Sequence, residues 1–507
     1  MADHLDRREF LKLLQIFSLG LSLPFYLRVP EDGRSTDQNQ ANILIIVFDA
    51  FSSYHLSLYG YERQTTPNIS RIANRATVYH NHYAGGSWTP PGTASLITGT
   101  YPWKHRIFSR NEPYITTIGN EDNLFSGFNN YYRSAYTHNR HAEFLLKQML
   151  PFLNDFKPKE FLYFAKDKFI NTYFSKDEEI ASLSRRQILG KEFNNYAYSI
   201  ILSEIYQRFQ QFTFSRQLKT FPLGLPTSEG FYGFFLLEDG IDWIIKNLST
   251  FPQPTLWYFH FLPPHYPYRT RVEFVDYFSG DNYLPPKKPE FLFQGDESQE
   301  YLNKQRRLYD EYILYVDSEF GRLYDQLEKN GGLENTILVL TSDHGELFER
   351  GIRGHYSHSL HQPVIKIPLL IKTPDQNERA DVFANTSAVD LVPTLAHITG
   401  QPQPTWTEGT IIPPFVQDIS SDRSVFTLDA KDNPQSEVLS AGTATIIKND
   451  YKLILYFDHN ERAYEFYNIK NDPEELNNIY SPNNETPSAM QKELLDKLDE
   501  ADRPYSK

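Results

Sequence analysis

The sequence predicts an α/β protein: a large domain with a mostly parallel central sheet between helices, followed by a smaller α+β C-terminal domain with an antiparallel sheet. The large domain is indicated by two continuous apolar runs, 42–48 and 336–340, each of which leads to an aspartate. Such runs are typical of parallel strands buried on both faces. The smaller domain is indicated by residues 444–456, where apolar and polar residues alternate as in hairpin strands.

The domain organisation follows from length and local composition. A chain of 507 residues exceeds one ordinary core and fits a large domain with a smaller companion. The Pro- and Thr-rich residues 401–416 predict the boundary, so we expect a large domain at 42–415 and a C-terminal domain at 416–507. Within the large domain, 144–230 is rich in Phe, Tyr, Lys and Glu and predicts a helical insertion, either extra packed helices or a lid beside a site.

Composition excludes several classes of function. Apolar residues make up 40% of the chain and aromatic residues 15%, enough for a sizeable core. The net charge of -14 repels nucleic-acid phosphates, and no dense Lys/Arg stripe offsets it, so we expect no nucleic-acid partner. The chain has no cysteine, which excludes disulfides, thiolate metal sites and cysteine nucleophiles without fixing the redox compartment.

The N-terminus resembles a twin-arginine export signal. Arg7-Arg8 is followed by Phe-Leu-Lys and then by a moderately apolar, interrupted run. Residues 1–27 are therefore predicted to be a signal or, since no small-x-small cleavage site follows clearly, an uncleaved anchor; a frayed amphipathic helix is the alternative. Residues 28–41 predict a linker. We expect an exported protein, periplasmic or extracellular, tethered to a membrane if the segment stays uncleaved.

Acids and an imidazole stand where the two predicted buried strands end. Asp49 closes the first run, and Asp343-His344 follows the second, with Gly345 turning the backbone away. In open α/β sheets ligands collect at the carboxyl ends of the strands. Carboxylate oxygens with an imidazole nitrogen suit zinc or manganese. These residues are predicted metal ligands; a helix cap beside a surface histidine is the structural alternative.

Thr89 lies in a loop that runs into a helix, Gly-Ser-Trp-Thr-Pro-Pro-Gly-Thr-Ala-Ser-Leu-Ile-Thr-Gly at 86–99. This stretch resembles the signature of the sulfatase branch of the alkaline phosphatase superfamily, in which Cys or Ser, any residue, Pro, Ser and Arg precede Ala-x-Leu-Leu-Thr-Gly. Thr89 falls where that branch carries the residue oxidised to formylglycine, and Gly92 and Thr93 replace the Ser-Arg. Because threonine is not a known substrate of that conversion, the resemblance disfavours a formylglycine sulfatase and leaves a hydroxyl nucleophile open.

The resemblance covers roughly 41–139 and 230–480 and implies an alkaline-phosphatase-like large domain. It extends to Tyr-Gly-Tyr and Thr-Thr-Pro-Asn within 59–69 and to the Asp-Pro-Glu-Glu of the C-terminal tail. Ala50 stands where many formylglycine sulfatases have a second aspartate. Relatives with a single acid and a Thr nucleophile, such as phosphoethanolamine and phosphoglycerol transferases, use a transition metal. The resemblance thus implies one divalent ion, zinc or manganese in preference to calcium, with the ligands Asp49, Thr89, Asp343 and His344.

Histidines supply the remaining candidates for catalysis. His265 lies in a Pro-His-Tyr-Pro-Tyr loop that resembles the family's loop at the oxyanion or leaving group. His355 and His358 both lie in a loop where family members carry one histidine, and either is predicted to contact the transferred group. A histidine pKa of about 6.5 permits proton transfer near neutrality. His260 and His361 are predicted to pack structurally.

Lys104 and His105 are predicted to bind the substrate anion. They follow Tyr-Pro at the place where relatives often show Tyr-Pro-x-x-His-Gly, with Arg106 in place of the glycine.

The predicted function is a metal-dependent hydrolase of the sulfatase family that cleaves a phosphate or sulfate ester through Thr89. A metal-bound hydroxyl becomes a competent nucleophile, and the dipole of a helix that starts near Thr93 favours the negative charge of the transition state. The substrate class is a small-molecule, glycan or lipid ester. Two alternatives are a phospho-alcohol transferase, in which an acceptor alcohol replaces water, and a catalytically silent protein that binds anions or glycans.

Overall fold

The computed structural model describes residues 40–110, 121–163, 215–227, 233–417, 422–459 and 461–506. The predicted signal at 1–27, nearly all of the linker and 164–214 of the predicted insertion lie outside the described residues. Asp37–Lys507 form one compact unit. None of the helices in the described part of the chain combines the length and the hydropathy that a bilayer span needs.

The strands alternate with helices along most of the chain. In chain order the strands are β1 (Asn42–Asp49), β2 (Thr77–Tyr83), β3 (Tyr132–Thr137), β4 (Asp155–Lys157), β5 (Thr255–Pro264), β6 (Thr336–Thr341), β7 (Phe348–Glu349), β8 (Ile352–Arg353), β9 (Leu369–Lys372), β10 (Ala380–Ser387), β11 (Ser424–Asp429), β12 (Ala441–Lys448), β13 (Tyr451–Asp458) and β14 (Glu461–Asn468). The helices are α1 (Pro67–Ala73), α2 (Thr89–Thr98), α3 (Pro102–His105), α4 (Leu124–Gly127), α5 (Arg140–Gln148), α6 (Ser215–Thr220), α7 (Leu237–Asn247), α8 (Gln299–Lys329), α9 (Gln362–Ile365), α10 (Leu391–Ile398) and α11 (Glu485–Asp502).

An eight-stranded sheet with the order β10-β2-β9-β6-β1-β5-β3-β4 forms the centre. The four neighbours β6, β1, β5 and β3 are mutually parallel, and β9 alone among the eight runs antiparallel to its neighbours. All eight residues of β1 are buried. This arrangement confirms the predicted fold class and brings the carboxyl ends of the four parallel strands to one edge.

Helices cover both faces of the sheet. On one face Leu44 and Ile46 of β1 belong to a core that includes α7 and α8. On the other face Ile43 and Ile45 belong to a core that includes α2 and α10. Successive residues of β1 therefore point into two different cores, which is why this strand is an apolar run without alternation.

The C-terminal sheet is an antiparallel meander in the order β11-β12-β13-β14. Its inner face shares a core with α11 and with α3, where Trp103 packs beside Phe426. It also contacts the loop before α2, because the Leu428 N–H donates to the Gly85 carbonyl at 3.0 Å and Ser87 Oγ donates to Asp429 Oδ2 at 3.0 Å. The smaller sheet thus helps to position the segment that carries Thr89.

The described beginning of the predicted insertion is not purely helical. After α5 the chain forms β4, which pairs in parallel with β3 at the edge of the central sheet. A strand of three residues is too short to leave a period of its own in the sequence, so the helical periodicity of the longer segment predicted helix there.

Candidate active site

The ends of four parallel strands bring polar side chains together. Asp49 is the last residue of β1, and Asp343 lies two residues beyond β6. His260 lies in β5 opposite Val47, and Asn139 lies two residues beyond β3. All four side chains are buried. A buried polar cluster of this kind must be satisfied by hydrogen bonds or by a bound ion.

Asp49, His260 and Asp343 form a group able to hold a metal ion. One ligand atom from each lies within 4.8 Å of the others. His260 Nε2 lies 3.3 Å from Asp49 Oδ2 and 3.7 Å from Asp343 Oδ2. Within the described residues, Asp49 Oδ1 and His260 Nε2 are buried and form no hydrogen bond. These orphaned atoms and the two facing carboxylates fit a divalent cation.

His260 corrects the expectation that this residue only packs in its strand. Its Nδ1 lies 3.4 Å from the Tyr258 hydroxyl, a contact that leaves Nε2 directed at the carboxylates. The sequence offered one signal, a histidine near the carboxyl end of an otherwise apolar strand. Because β5 is buried on both faces, periodicity could not tell whether this side chain faced the core or the site.

His344 completes the ring of groups around the carboxylates. Its Nε2 lies 3.4 Å from Asp49 Oδ1 and 3.6 Å from Asp343 Oδ2. Its Nδ1 donates to the Gly345 carbonyl at 2.9 Å. A carbonyl only accepts, so Nδ1 carries a hydrogen and Nε2 is the atom that titrates or binds a metal.

The acids and imidazoles shift one another's pKa values. Burial opposes ionisation of Asp49, but His265, His260 and His344 hold its pKa well below the usual range. Burial and the nearby Asp49 charge raise the pKa of Asp343. Burial lowers the pKa of His344, but the two carboxylates outweigh this and raise it to about 9. The negative charge of the site therefore attracts a proton to His344 when no other cation neutralises it.

Thr89 is the first residue of α2 and lies against this cluster. Its Oγ1 is 3.4 Å from His344 Nε2 and accepts a hydrogen bond from Asn139 Nδ2 at 3.3 Å. The helix begins at Thr89, four residues before the expected start at Thr93. Pro90 and Pro91 occupy its first turn and have no N–H, so this end offers an anion fewer backbone donors than an ordinary helix N-terminus.

Asn139 was not among the predicted site residues. Its Oδ1 caps α5 by accepting from the N–H groups of His141 at 2.6 Å and Ala142 at 3.1 Å. Its Nδ2 donates both to Asp49 Oδ2 and to Thr89 Oγ1. The cap thus fixes the amide so that it joins the aspartate to the threonine. A sequence pattern predicts such a cap but not which distant carboxylate its amide faces.

Asn139→Asp should lower kcat/KM by about 10–100-fold, the usual effect of removing a group that orients a ligand. Aspartate still caps α5, but it replaces the donated hydrogen bonds with a further negative charge beside Asp49. Steady-state kinetics at saturating metal measures the loss. Asn484→Asp, at the exposed cap of α11, is the matched control and should keep full activity. Equal kinetics for Asn139→Asp and wild type would show that the amide does not orient Thr89.

His265 and His355 lie over the cluster. Their ring centroids are 5.1 Å apart, and that of His355 is 4.2 Å from that of His344. His265 Nδ1 donates to the Tyr266 carbonyl at 2.7 Å, and His355 Nδ1 lies 3.3 Å from Glu346 Oε1. Burial and the positive His344 and His265 lower the pKa of His355 well below its usual value. Burial raises the pKa of Glu346 to about 7.

Three predicted site residues lie elsewhere. His358 Nε2 lies 3.1 Å from Asp432 Oδ2, so of the two loop histidines the structure brings His355 to the cluster. The Lys104 ammonium donates to the Trp406 carbonyl at an exposed position. His105 Nε2 lies 3.1 Å from Ser95 Oγ, and burial lowers its pKa to about 3. Lys104 and His105 belong to α3, and their hydrogen bonds go to Trp406 and to Ser95 of α2, not to Thr89.

Gly92 explains one departure from the sulfatase signature. A Cβ added there would lie 2.3 Å from the Asp343 carbonyl oxygen. Glycine at this position therefore lets α2 approach the backbone of the metal-competent aspartate. Thr93, which replaces the arginine of the signature, lies with its Oγ1 3.4 Å from Asp343 Oδ2.

Gly92→Ala should destabilise the protein by about 1–3 kcal/mol, the usual cost of overpacking a well-packed core, and should lower activity by displacing Asp343. Denaturant unfolding and kinetics measure the two effects. Gly280→Ala is the matched control, because its added Cβ meets no atom within 4 Å. Unchanged stability and activity in Gly92→Ala would contradict the close approach.

Two family models match the chain. The model described as Sulfatase matches residues 41–401, which is more than half of the chain. The model described as N-sulphoglucosamine sulphohydrolase, C-terminal, matches residues 352–503.

Several curated proteins are similar to parts of the chain. Arylsulfatase K of Bos taurus is 28% identical over 208 residues, 39% of this chain and 38% of that protein. The N-acetylglucosamine-6-O-sulfatase of Bacteroides thetaiotaomicron is 29% identical over 199 residues, 38% of this chain and 35% of that protein. The chain thus spans well under half of the length of these two relatives. Choline-sulfatase of Rhizobium meliloti is 21% identical over 86% of this chain and 82% of that protein.

Solved structures share the fold over nearly the whole chain. The phosphonate monoester hydrolase of Agrobacterium radiobacter has a TM-score of 0.64 and 17% identity, covering 92% of this chain and 96% of that chain. A protein solved in complex with its substrate D-glucosamine-2-N,6-O-disulfate has a TM-score of 0.63 and 17% identity, covering 92% of this chain and 98% of that chain. At this level of identity the likeness shows the fold alone.

Proposed function

The chain belongs to the sulfatase family of the alkaline phosphatase superfamily, and from this premise we propose that it is a metal-dependent hydrolase that cleaves a phosphate or sulfate ester with Thr89 as the nucleophile. One observation carries the proposal: the Thr89 hydroxyl lies 3.4 Å from His344 Nε2 at the edge of a buried cluster of two aspartates and two histidines. Family membership supports ester hydrolysis, and the absence of cysteine supports a hydroxyl in place of a formylglycine derived from cysteine.

Asp49, His260, Asp343 and His344 would hold the metal ion beside Thr89. Two carboxylates and two imidazoles suit zinc or manganese better than calcium, which prefers oxygen ligands throughout. When bound, a divalent ion supplies Lewis acidity and lowers the pKa of a neighbouring hydroxyl.

The protein's own residues orient the nucleophile. Asn139 donates to Thr89 Oγ1 at 3.3 Å, and His344 Nε2 lies 3.4 Å from the same oxygen, so both side chains help to position the hydroxyl. The side chain is only 3% exposed, which limits competition from bulk water. Attack forms a bond from Thr89 Oγ1 to phosphorus or sulfur, releases the hydroxyl proton to solvent and breaks the bond to the leaving alkoxide oxygen. Water then cleaves the adduct, which regenerates the hydroxyl and releases the inorganic anion.

His265 is the residue we assign to the leaving group. Its Nδ1–H is engaged by the Tyr266 carbonyl, so Nε2 is the nitrogen that can give a proton to the departing alkoxide oxygen. His355 lies between His265 and His344 and is held by Glu346. Of the two ester classes, the threonine hydroxyl favours the phosphate ester. In the sulfatase signature this position carries the Cys or Ser that is oxidised to formylglycine, and threonine is not a known substrate of that oxidation.

Metal analysis of the purified protein, followed by turnover of phosphate monoester, phosphate diester, phosphonate and sulfate ester reporters, tests the proposal. We expect zinc or manganese near one equivalent per chain and metal-dependent cleavage of a phosphoester, abolished by a chelator and restored by that metal. Calcium together with cleavage of the sulfate ester would contradict the chemistry assigned to Thr89. Metal-free protein with no turnover of any reporter would favour the silent anion-binding alternative.

A further inference from the structure

The reacting groups lie beneath the surface, whereas two tyrosines beside them are open to solvent. Thr89 and His265 are each 3% exposed, while Tyr266 is 43% and Tyr356 54% exposed. Tyr266 follows His265 and accepts the hydrogen bond of its ring. The Tyr356 ring centroid is 4.4 Å from that of His355. Contacts thus lead from Thr89 through His344 and His355 to the exposed Tyr356.

Arg353 lies at the same rim and has an unusual environment. Its guanidinium carbon is 4.2 Å from the centroid of the Tyr266 ring. The neighbours that act on its charge are the tyrosines Tyr266, Tyr268 and Tyr301. The positive charge of Arg353 acts to lower the pKa of Glu346, but Glu346 Oε1 lies 3.3 Å from His355 Nδ1.

Two arginines near Arg353 and Tyr266 in the sequence form ion pairs. Arg350 pairs with Glu349, and Arg271 pairs with Glu238, Glu273 and Glu319. Among the described residues, Arg353 forms no such ion pair, although the chain carries a net charge of -14. The guanidinium also has a hydrogen bond to the Tyr266 side chain, and the rest of its five N–H donors suit a carboxylate, phosphate or sulfate group.

We propose that Tyr266, Arg353 and Tyr356 form a recognition rim for the part of the substrate that does not react. The rim binds a ring-bearing ester that carries a second anionic group: the solvent-exposed parts of the two tyrosine rings contact the substrate ring, and Arg353 binds the second anion. This inference rests on the proposed function, because it takes Thr89 as the reacting group. It narrows the substrate to anionic cyclic esters, whether aryl or sugar.

Paired esters that differ only in the second charge test the rim. The aryl pair is phenyl phosphate and meta-carboxyphenyl phosphate; the sugar pair is a phosphorylated methyl glucoside and the corresponding methyl glucuronide, which replaces a neutral group with a carboxylate. Both pairs are also made as sulfates. Dissociation constants are measured by calorimetry on the metal-loaded Thr89→Val protein, so that binding is read without turnover, and KM and kcat are measured on the protein with Thr89 intact.

We expect the carboxylated member of at least one pair to bind about tenfold more tightly, as a charge-assisted hydrogen bond implies. Arg353→Gln should remove this preference and raise KM for the carboxylated ester with little change in its kcat, whereas Arg353→Lys should keep part of it. Arg71→Gln, which alters an exposed arginine paired with Asp325, should leave the preference intact. The aryl and sugar pairs show which ring the tyrosines accept.

Equal affinity for both members of every pair, or equal weakening of both by Arg353→Gln, would overturn the rim. Circular dichroism of Arg353→Gln and the partial rescue by Arg353→Lys separate a lost contact from a misfolded variant. If the protein with Thr89 intact cleaves no ester while the binding preference persists and depends on Arg353, the proposed hydrolysis fails and the rim stands. If esters are cleaved without any such preference, the rim fails and the hydrolysis stands.

Discussion

Thr89→Val is expected to lower kcat/KM by at least about three orders of magnitude, as loss of a nucleophile does in other covalent enzymes. Valine has nearly the same shape as threonine and replaces only the hydroxyl, so the packing at the start of α2 is kept. The hydroxyl also receives the Asn139 hydrogen bond and lies 3.4 Å from His344. The variant should nevertheless bind metal, because Asp49, His260, Asp343 and His344 are unchanged.

Thr98→Val is the matched control for this substitution. Thr98 ends the same helix, is buried, and donates its hydroxyl to the Ala94 carbonyl at 2.7 Å. Its Oγ1 also accepts from the Thr100 N–H at 3.2 Å and lies 2.7 Å from Thr100 Oγ1. Valine there should therefore cost about 1–3 kcal/mol of stability, the usual cost of leaving buried polar groups unpaired, with little effect on turnover. Thr89→Ser should keep part of the activity, since the hydroxyl remains. Mass spectrometry of an acid-quenched reaction should find the covalent adduct on Thr89; activity retained in Thr89→Val would show that water or another group attacks directly.

The strands that carry the acids could be predicted, because their local patterns are complete. The apolar run of β1 ends at Asp49, and that of β6 is followed by Asp343-His344. Membership of a parallel sheet then implies that both exits meet at one edge. The C-terminal meander could also be predicted, because apolar and polar residues alternate along β12 and β13. The two strands pair in one continuous register.

The remaining site residues depend on contacts that no local pattern contains. His260 lies in a strand buried on both faces, so nothing in the sequence shows which way its side chain points. In the sequence Asn139 has the pattern of an ordinary helix cap. Its amide lies beside Asp49 because β3, which precedes it, is next to β5 in the sheet. Lys104 and His105 match a motif in spacing, but Lys104 donates to the Trp406 carbonyl and His105 lies against Ser95 of α2, contacts that the motif does not contain.

Asp343→Asn is expected to remove most metal-dependent activity while leaving the metal-free protein at least as stable as wild type. In the metal-free protein, burial and the Asp49 charge raise the pKa of Asp343, so its ionised form is disfavoured by folding. A group with a raised pKa in the folded state contributes stability when protonated and loses it as the pH rises through that pKa. A neutral amide of the same shape avoids this loss. It can still accept from the Ala50 N–H at 3.3 Å and the His344 N–H at 3.0 Å.

With metal present, Asp343→Asn should be less stable than wild type, whereas without metal it should be at least as stable. This reversal in relative stability identifies Asp343 as a metal ligand. A ligand that binds only the folded state stabilises it by about 2.7 kcal/mol at a concentration of 100 times its Kd, and the amide forfeits most of that gain. Thermal unfolding with chelator and with added zinc or manganese should therefore show a metal-induced rise in Tm for wild type and little or none for Asp343→Asn. Asp317→Asn is the matched control: Asp317 is buried and accepts from the N–H groups of Asn68 at 2.9 Å and Ile69 at 2.7 Å, neither of them a site residue, so its variant should keep the full metal-induced rise. A rise in Asp343→Asn equal to that of wild type would place the bound ion away from the aspartates, because a carboxylate that contributes nothing to metal affinity does not coordinate the metal.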